Sequence, residues 1–150
     1  MPSAQFDRSL EVLSSPGECW DVITDVNRVA DWVSVVGTVE EVEPLSRYTA
    51  VLEDSFGPFK LRADLDVEVT EFVEHKSIRF VCSGQDRQVG TTISVDARMA
   101  LQPSGSGTLL RVDGSYQVLG SVATMGGSTI RKKADTIIEE FFAAAEDALG

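Results

Sequence analysis

The chain has 150 residues, 43% of them hydrophobic and 25% charged, and a formal net charge of -11 at pH 7. This length and composition predict one domain, residues 1–150, that buries roughly two-thirds of its unfolded surface. The negative charge argues against nucleic-acid binding and against more than peripheral contact with an anionic membrane. No apolar run is long enough to span a bilayer and no signal-peptide pattern opens the sequence. We therefore expect a cytoplasmic protein, or one peripheral to the inner face of the cytoplasmic membrane.

The first predicted element is a strand that is apolar on one face. Phe6, Leu10 and Val12 alternate with polar residues, and Arg8 interrupts the apolar series. A charged side chain on a buried face is costly unless it is paired. Arg8 is therefore either solvent-exposed near a strand end or paired with another charge or with a ligand.

Two short helices are predicted after this strand. Ser15, Pro16 and Glu18 form a capping-box pattern, in which Pro16 suits the first helical position. The first helix is expected to be short, and the second is expected to run over residues 27–35. Gly37 is the predicted end of this second helix.

Period-two alternation over the middle of the chain is typical of a sheet with one dry and one wet face. It is clearest over residues 59–70 and recurs over residues 48–56, 78–82, 91–101 and 108–118. The turn patterns FGPF, EHKS, GQDRQ and PSGSG separate these strands. Strands joined by such short links must be antiparallel neighbours, because a parallel connection needs a crossover of about a dozen residues. We therefore predict a seven-stranded antiparallel meander.

A long helix is predicted over residues 121–149. Its apolar side carries Ile130, Ala134, Ile137, Phe141 and Ala145. The charged residues, Lys133 among them, are expected largely on the other side. A seven-stranded sheet is about 30 Å wide, whereas a helix with its side chains is about 10–12 Å wide. One helix cannot cover a flat sheet of this width, so the sheet is expected to curl around it.

The start of this helix is poor in side-chain volume. Gly120, Gly126 and Gly127 lie within the stretch LGSVATMGG, and each glycine inside a helix costs about 1 kcal/mol relative to alanine. One explanation is that the small residues leave an internal cavity near residue 126, at the open end of the curled sheet. The alternative is that the glycines allow close contact with the sheet or a kink, without any cavity.

Three stretches resemble the START-like superfamily, also called the polyketide cyclase/dehydrase or SRPBCC superfamily. They are SSPGECWDVITDVNRVADWV, SFGPFKLRADLDVEV and YQVLGSVATMGGSTIRKKADTIIEEFF. Within the superfamily, the sequence is most similar to the carbon monoxide dehydrogenase G-subunit family. In that family a G-x-x-A-x-x-G run, here Gly120, Ala123 and Gly126, leads to a helix that ends in paired phenylalanines. The likeness covers essentially the full chain.

The resemblance implies an α+β helix-grip fold, which is also called START-like or Bet v 1-like. In this fold a curved antiparallel seven-stranded sheet wraps around a long C-terminal helix, and two short helices follow the first strand. The fold encloses a hydrophobic cavity.

The resemblance also implies a function. A non-catalytic protein would bind or transfer a hydrophobic small molecule, lipid-like or quinone-like, and would need no cofactor. The implied partner is a carbon monoxide dehydrogenase-type molybdenum hydroxylase complex. Some family members continue into a membrane-seeking tail; because this sequence ends at Gly150, a binding domain is expected more than an anchor. Two alternatives stay open: an enzyme like the polyketide cyclases and dehydratases, and an assembly or interaction module of a larger oxidoreductase.

The candidate ligand-binding residues lie on the faces that the curled sheet and the last helix turn toward the cavity, and on the second short helix and its exit. They are Trp32, Val36, Phe56, Phe59, Leu61, Phe80, Val95, Tyr116, Val122, Met125, Gly126 and Ile130. The candidate lid residues are Trp32, Val33 and Val36. Arg8, Asp54 and Thr91 are candidate polar orienters, and the enzyme alternative would use Arg8 and Asp54 as a pair.

No catalytic residue and no metal ligand is predicted. His75, the only histidine, falls in the EHKS turn, where an exposed side chain is expected. Cys19 and Cys82 are too far apart for a zinc site or a disulfide scaffold, and we expect buried thiols. Asp64 and Asp66 alternate with apolar residues and are expected on a solvated outer face.

Overall fold

A seven-stranded antiparallel sheet and a long C-terminal helix make up most of the fold. The computed structural model describes residues 3–56, 59–88 and 90–150 of the chain. The strands are β1 (Ser3–Val12), β2 (Val36–Glu43), β3 (Arg47–Phe56), β4 (Phe59–Val73), β5 (Ser77–Asp86), β6 (Thr91–Ser104) and β7 (Gly107–Gly120). They pair in the order β1-β7-β6-β5-β4-β3-β2, and each neighbouring pair is antiparallel. The predicted fold class and the meander from β2 to β7 are confirmed.

Each of the two short helices begins after a capping residue, and the one before the first helix was predicted. α1 (Pro16–Ile23) is preceded by the expected capping box: the Glu18 amide donates to Ser15 Oγ at 3.3 Å, and the Ser15 amide donates to Glu18 Oε1 at 3.1 Å. α2 (Val26–Ala30) starts after Asp25, whose side chain accepts from the Arg28 amide. No helix of the described residues is both long and apolar enough to cross a membrane.

The predicted end of the second helix at Gly37 is wrong. α2 ends at Ala30, and Gly37 lies in β2. The reason is that the chain joins the sheet earlier: the Glu53 amide donates to the Val35 carbonyl at 2.7 Å, next to the start of β2. β-branched residues such as Val35 pack well in extended segments and are weaker helix formers.

The prediction of one unbroken helix over residues 121–149 is also wrong. A 3₁₀ turn (Ser121–Met125) and α3 (Gly127–Leu149) are separated by Gly126, which has φ +94° and ψ 153°. Only glycine adopts this conformation readily, because it has no Cβ. Gly126 therefore lies at a joint between two elements and allows the backbone conformation found there. Because it is not inside a helix, the free-energy cost of a glycine in a helix does not apply to it.

The 3₁₀ turn is fastened to the start of β6. The Ser121 amide donates to the Gly90 carbonyl at 3.0 Å, and the Val122 amide donates to Thr91 Oγ1 at 3.1 Å. Gly120, with φ +98°, allows the chain to turn sharply off β7 beside Gly90. The small residues at this point permit close backbone contact, which was the alternative explanation for the glycines.

The sheet is bent by irregular pairing. The register shifts between residues 36 and 39 and between 41 and 43 of β2, and between 69 and 71 of β4. An extra residue on one strand increases the local twist and bends the strand. These shifts favour a sheet that curls around α3, as the widths of the two elements predicted.

The buried residues form two separate core clusters. The first cluster lies among α1, the C-terminal part of α3 and one end of the sheet: Val12, Cys19, Trp20, Ile23, Trp32, Ile78, Met99, Leu101, Leu110, Ala145 and Leu149. The second cluster lies beside the 3₁₀ turn and the start of α3: Leu61, Ala63, Leu65, Cys82, Ile93, Val118, Val122 and Ile130. A domain usually has one contiguous core, so the division requires an explanation.

The outer face of the sheet is exposed to solvent and carries charged residues. Asp64 and Asp66 are exposed, as their alternation predicted. Arg79 donates two hydrogen bonds to Asp96, at 3.1 and 2.8 Å, and its guanidinium holds the pKa of the Asp96 carboxyl below its usual value. His75 is exposed in the β4–β5 turn, also as predicted.

The joint at Gly126 can be tested with a pair of neighbouring substitutions. Gly126→Ala is expected to lower the free energy of unfolding by about 1–3 kcal/mol, because alanine is strained at this φ and ψ. Gly127→Ala, in the first turn of α3, is expected to raise it by about 0.4–1 kcal/mol, because it reduces the entropy of the unfolded chain. Urea denaturation measures both. Equal effects of the two substitutions would show that the backbone at Gly126 is not the cause.

Candidate functional site

A cavity of about 330 Å³ lies between α3 and the inner face of the sheet. It is lined by Phe6, Val33, Val35, Val36, Leu52, Asp54, Leu61, Leu65, Phe80, Cys82, Ile93, Val95, Tyr116, Val118, Val122, Ile130, Lys133, Ala134, Ile137 and Ile138. The wall that these residues present is almost entirely carbon. The volume falls at the lower end of the range of small-molecule sites, about 300–1,000 Å³.

The cavity explains why the core is divided. Its lining includes most of the second core cluster and the middle of α3, where Ala134 and Ile137 face the sheet. Toward the C-terminal end of α3, Phe141 and Phe142 pack against the first cluster and close the fold there. The cavity therefore lies under residues 130–138 of α3, roughly one to three helical turns beyond the expected position near residue 126.

Several predicted site residues meet at this cavity. They are Val36, Leu61, Phe80, Val95, Tyr116, Val122, Ile130 and the candidate orienter Asp54. Leu61, Phe80, Val95 and Tyr116 were found by their period-two alternation, and Val36 was chosen as a candidate lid residue. The side chains of Phe56, Phe59 and Met125 lie outside the described part of the structure.

Other predicted site residues lie elsewhere. Trp32 is buried against Phe141, with ring centroids 5.3 Å apart, and belongs to the first core cluster. Thr91 is 2% exposed, and its hydroxyl holds the 3₁₀ turn. Gly126 is the backbone joint described above. None of these three is among the lining residues of the cavity.

The charges on the inner face have other partners than those considered from the sequence. Arg8 lies 3.5 Å from Asp135 of α3, and Asp54 lies 3.1 Å from Lys133 of α3. β1 and β3 are separated in the sheet by four strands, so the Arg8–Asp54 pair does not form.

Lys133 is a cavity residue that the sequence analysis assigned to the polar side of the helix. It lies three residues after Ile130 and four before Ile137, and this spacing could have placed it on the inward stripe. Lys133 was assigned to the polar side because its side chain is charged. A lysine can line an apolar wall with its methylene groups while its ammonium reaches solvent or a carboxylate.

Tyr116 brings a hydroxyl group to the same region. Burial raises the pKa of its phenol, and the nearby Arg131 opposes that rise. The phenol is therefore protonated at neutral pH and can donate a hydrogen bond.

The segment between α2 and β2 covers one side of the cavity. Val33, Val35 and Val36 line it, and Ser34 is joined to α3 by the carboxylate of Glu140. The Ser34 amide donates to Oε1 of Glu140, and the Ser34 hydroxyl donates to Oε2 at 3.0 Å. The Glu140 carboxylate thus joins this segment to α3 beside the apolar contact of Trp32 with Phe141.

The two thiols are buried, as predicted, and only one is at the site. Cys82 lines the cavity, and burial raises its pKa to about 11. Cys19 belongs to the first core cluster, where burial also raises its pKa. No group of three or more histidines, cysteines or acidic residues within the described residues is arranged to hold a metal ion.

Comparison with solved structures shows the class of fold. A conserved protein from Geobacillus kaustophilus superposes with a TM-score of 0.84 at 20% identity, over 97% of this chain and 95% of that chain. A START superfamily protein from Mycobacterium smegmatis gives 0.74 at 19%, over 97% and 96%. DynU16, from the dynemicin biosynthetic locus, gives 0.60 at 19%, over 97% of this chain and 46% of that chain. The curled sheet gripping a C-terminal helix thus has the START-like fold.

The sequence also matches the profile of one family within this class. The profile describes the G-subunit of carbon monoxide dehydrogenase (CoxG), and the match covers residues 9–150. The chain belongs to this family. Among curated proteins, none matches the sequence.

The rate at which the buried Cys82 thiol is alkylated is expected to depend on pH. With a pKa of about 11, Cys82 is protonated at pH 8, and only the thiolate is nucleophilic. In a Cys19→Ala variant, alkylation of Cys82 by N-ethylmaleimide is expected to be about 100-fold slower than in the unfolded chain at pH 8. The rate should keep rising up to about pH 11. Mass spectrometry measures it, and a plateau near pH 8.5 would contradict the assignment.

The Glu140 contact is expected to control exchange through the α2–β2 side of the cavity. Glu140→Ala removes both bonds to Ser34, so a bound hydrophobic dye such as Nile red should dissociate about fivefold faster or more. Stopped-flow fluorescence measures the rate. Glu139→Ala, at an exposed neighbouring position, is the matched control. The same dissociation rate in both variants would show that this segment does not limit exchange.

Proposed function

We propose that this protein is a non-catalytic carrier that binds a lipid-like or quinone-like small molecule in the cavity beneath α3. In this proposal it acts as an accessory to an oxidoreductase of the carbon monoxide dehydrogenase type. The observation that carries the proposal is the carbon-lined cavity of about 330 Å³ between two core clusters. Membership of the CoxG family supports the accessory role.

The chemistry of the cavity wall supports a hydrophobic ligand. The cavity is open to solvent, and water inside it meets a wall that offers almost no hydrogen-bond partners. A hydrophobic ligand would displace this water and bury the apolar wall, which is favourable.

The apolar wall also supplies enough affinity. Burying about 400 Å² of apolar ligand surface at about 25 cal/mol per Å² contributes around 10 kcal/mol before the entropy of association is subtracted. Dissociation constants in the micromolar range are expected. The Tyr116 phenol can orient a carbonyl oxygen without chemistry.

The arrangement of charges favours binding over catalysis. An enzyme of the cyclase type needs an acid or base that faces the reactive carbon of its substrate. The carboxylate and ammonium among the lining residues, Asp54 and Lys133, are bonded to each other. An interaction module needs no internal space, so the cavity is the observation that favours a carrier over such a module.

Filling the cavity tests the proposal. Ala134 lines it, so Ala134→Phe should occupy the ligand space and weaken Nile red binding about tenfold or more. Ala143→Phe, at an exposed position of the same helix, should leave binding unchanged. Fluorescence titration measures affinity, circular dichroism checks folding, and Ala134→Leu serves if the larger residue disrupts the fold.

Two further measurements complete this test. Native mass spectrometry of freshly purified protein should detect a bound small molecule. Added ligand should protect Cys82, which lines the cavity, from alkylation and leave Cys19 unaffected. Unchanged dye binding in folded Ala134→Phe would contradict the proposal.

A further inference from the structure

We propose that the Asp54–Lys133 ion pair makes the site selective for an uncharged amphiphile with an acceptor oxygen, such as a ketone, ester or quinone-type carbonyl. In this proposal Lys133 donates a hydrogen bond to that oxygen, and Asp54 rejects ligands that carry a carboxylate. The inference rests on the proposed function, because it concerns the ligand of the same cavity.

The pair lies where the cavity meets solvent. Both residues line the cavity, yet its wall is almost entirely carbon, so their aliphatic portions face inward and their charged ends lie at the rim. The side chain of Lys133 is 39% exposed and that of Asp54 is 16% exposed. An apolar tail inside the cavity would therefore place its polar head next to this pair.

The pair discriminates by charge. The Lys133 ammonium lies 3.1 Å from Asp54 Oδ1, so an anionic head that approaches the ammonium also approaches the carboxylate. Attraction and repulsion then largely offset each other, and the cost of removing the anion from water remains. A neutral carbonyl loses less hydration and is not repelled by Asp54. The net charge of the protein, -11, also disfavours an anion.

Two arginines, on the side of α3 away from Lys133, could also bind an anionic head group. Arg8 lies there 3.5 Å from Asp135, and Arg131 interacts with Tyr116 of the cavity wall. Asp135 acts on the same phenol and opposes Arg131. Removing the charge of Asp135 therefore tests whether an anion binds beside Arg8 and Arg131. Removing the charge of Asp54 tests the same for Lys133.

The experiment compares ligands that differ in their head group. Methyl decanoate and decanoate share a chain and a carbonyl and differ in charge, and undecane lacks the polar head. Displacement of Nile red at pH 8 gives their affinities for the wild-type protein, Asp54→Asn, Asp135→Asn and Lys133→Met. The wild-type protein should bind the ester about tenfold or more tighter than decanoate.

Each variant has its own expected result. In Asp54→Asn, decanoate should improve until it binds within about threefold of the ester, because its carboxylate no longer meets the negative charge of Asp54. In Asp135→Asn, the wild-type preference should persist. In Lys133→Met, the advantage of the ester over undecane should fall about fivefold or more, without any gain for decanoate.

Other results would overturn the inference. If decanoate already equals the ester in the wild-type protein, or if Asp54→Asn leaves the preference unchanged, the pair does not select by charge. A reversal in Asp135→Asn alone would place the head group on the Arg8 flank. If neither the dye nor any of the three ligands binds, the proposed carrier function is wrong as well. If they bind without the expected preference, only the inference about selectivity is wrong.

Discussion

The structure depends on one mismatch of dimensions. A single helix about 10–12 Å wide has to cover the apolar face of a seven-stranded sheet about 30 Å wide. The sheet curls around α3, and α1 and α2 fill one end while the 3₁₀ turn closes the other. Between these ends the side chains of α3 do not reach every strand. The core is therefore divided into two clusters, and the cavity is the space between them.

The two parts of α3 are held by different kinds of contact. Its C-terminal part is packed through Phe141, Phe142 and Ala145 into the first core cluster. Its middle, above the cavity, is joined to the rest of the fold by the polar contacts of Lys133, Asp135 and Glu140. Exposed ion pairs contribute little each, about 0–1 kcal/mol. The C-terminal part of α3 is therefore held by apolar packing, whereas beside the cavity these partly exposed polar contacts add to the packing of Ile130.

The cavity combines non-specific affinity with a small number of polar determinants. Burial against carbon supplies binding energy to any apolar molecule of suitable volume, so it discriminates poorly between ligands. In the proposed carrier, the hydroxyl of Tyr116 and the ion pair of Asp54 and Lys133 would interact with the polar part of a ligand. A carrier with this division of roles would hold an amphiphile in one orientation, with its tail under α3 and its head toward solvent.

Local chemistry determined the elements of this protein. The capping box at Ser15, the alternation along β4 and the inward stripe from Ile130 to Ala145 could each be recognised in the sequence, because each depends on residues close together in the chain. Alternation and element widths predicted a curled meander and allowed a cavity, and the family resemblance added the helix-grip fold and favoured the cavity. Only the tertiary structure decided where the cavity lies, that Gly126 is a joint, and that Lys133 faces inward to meet Asp54. These features depend on sheet curvature and on contacts between residues far apart in the chain, which no local period encodes.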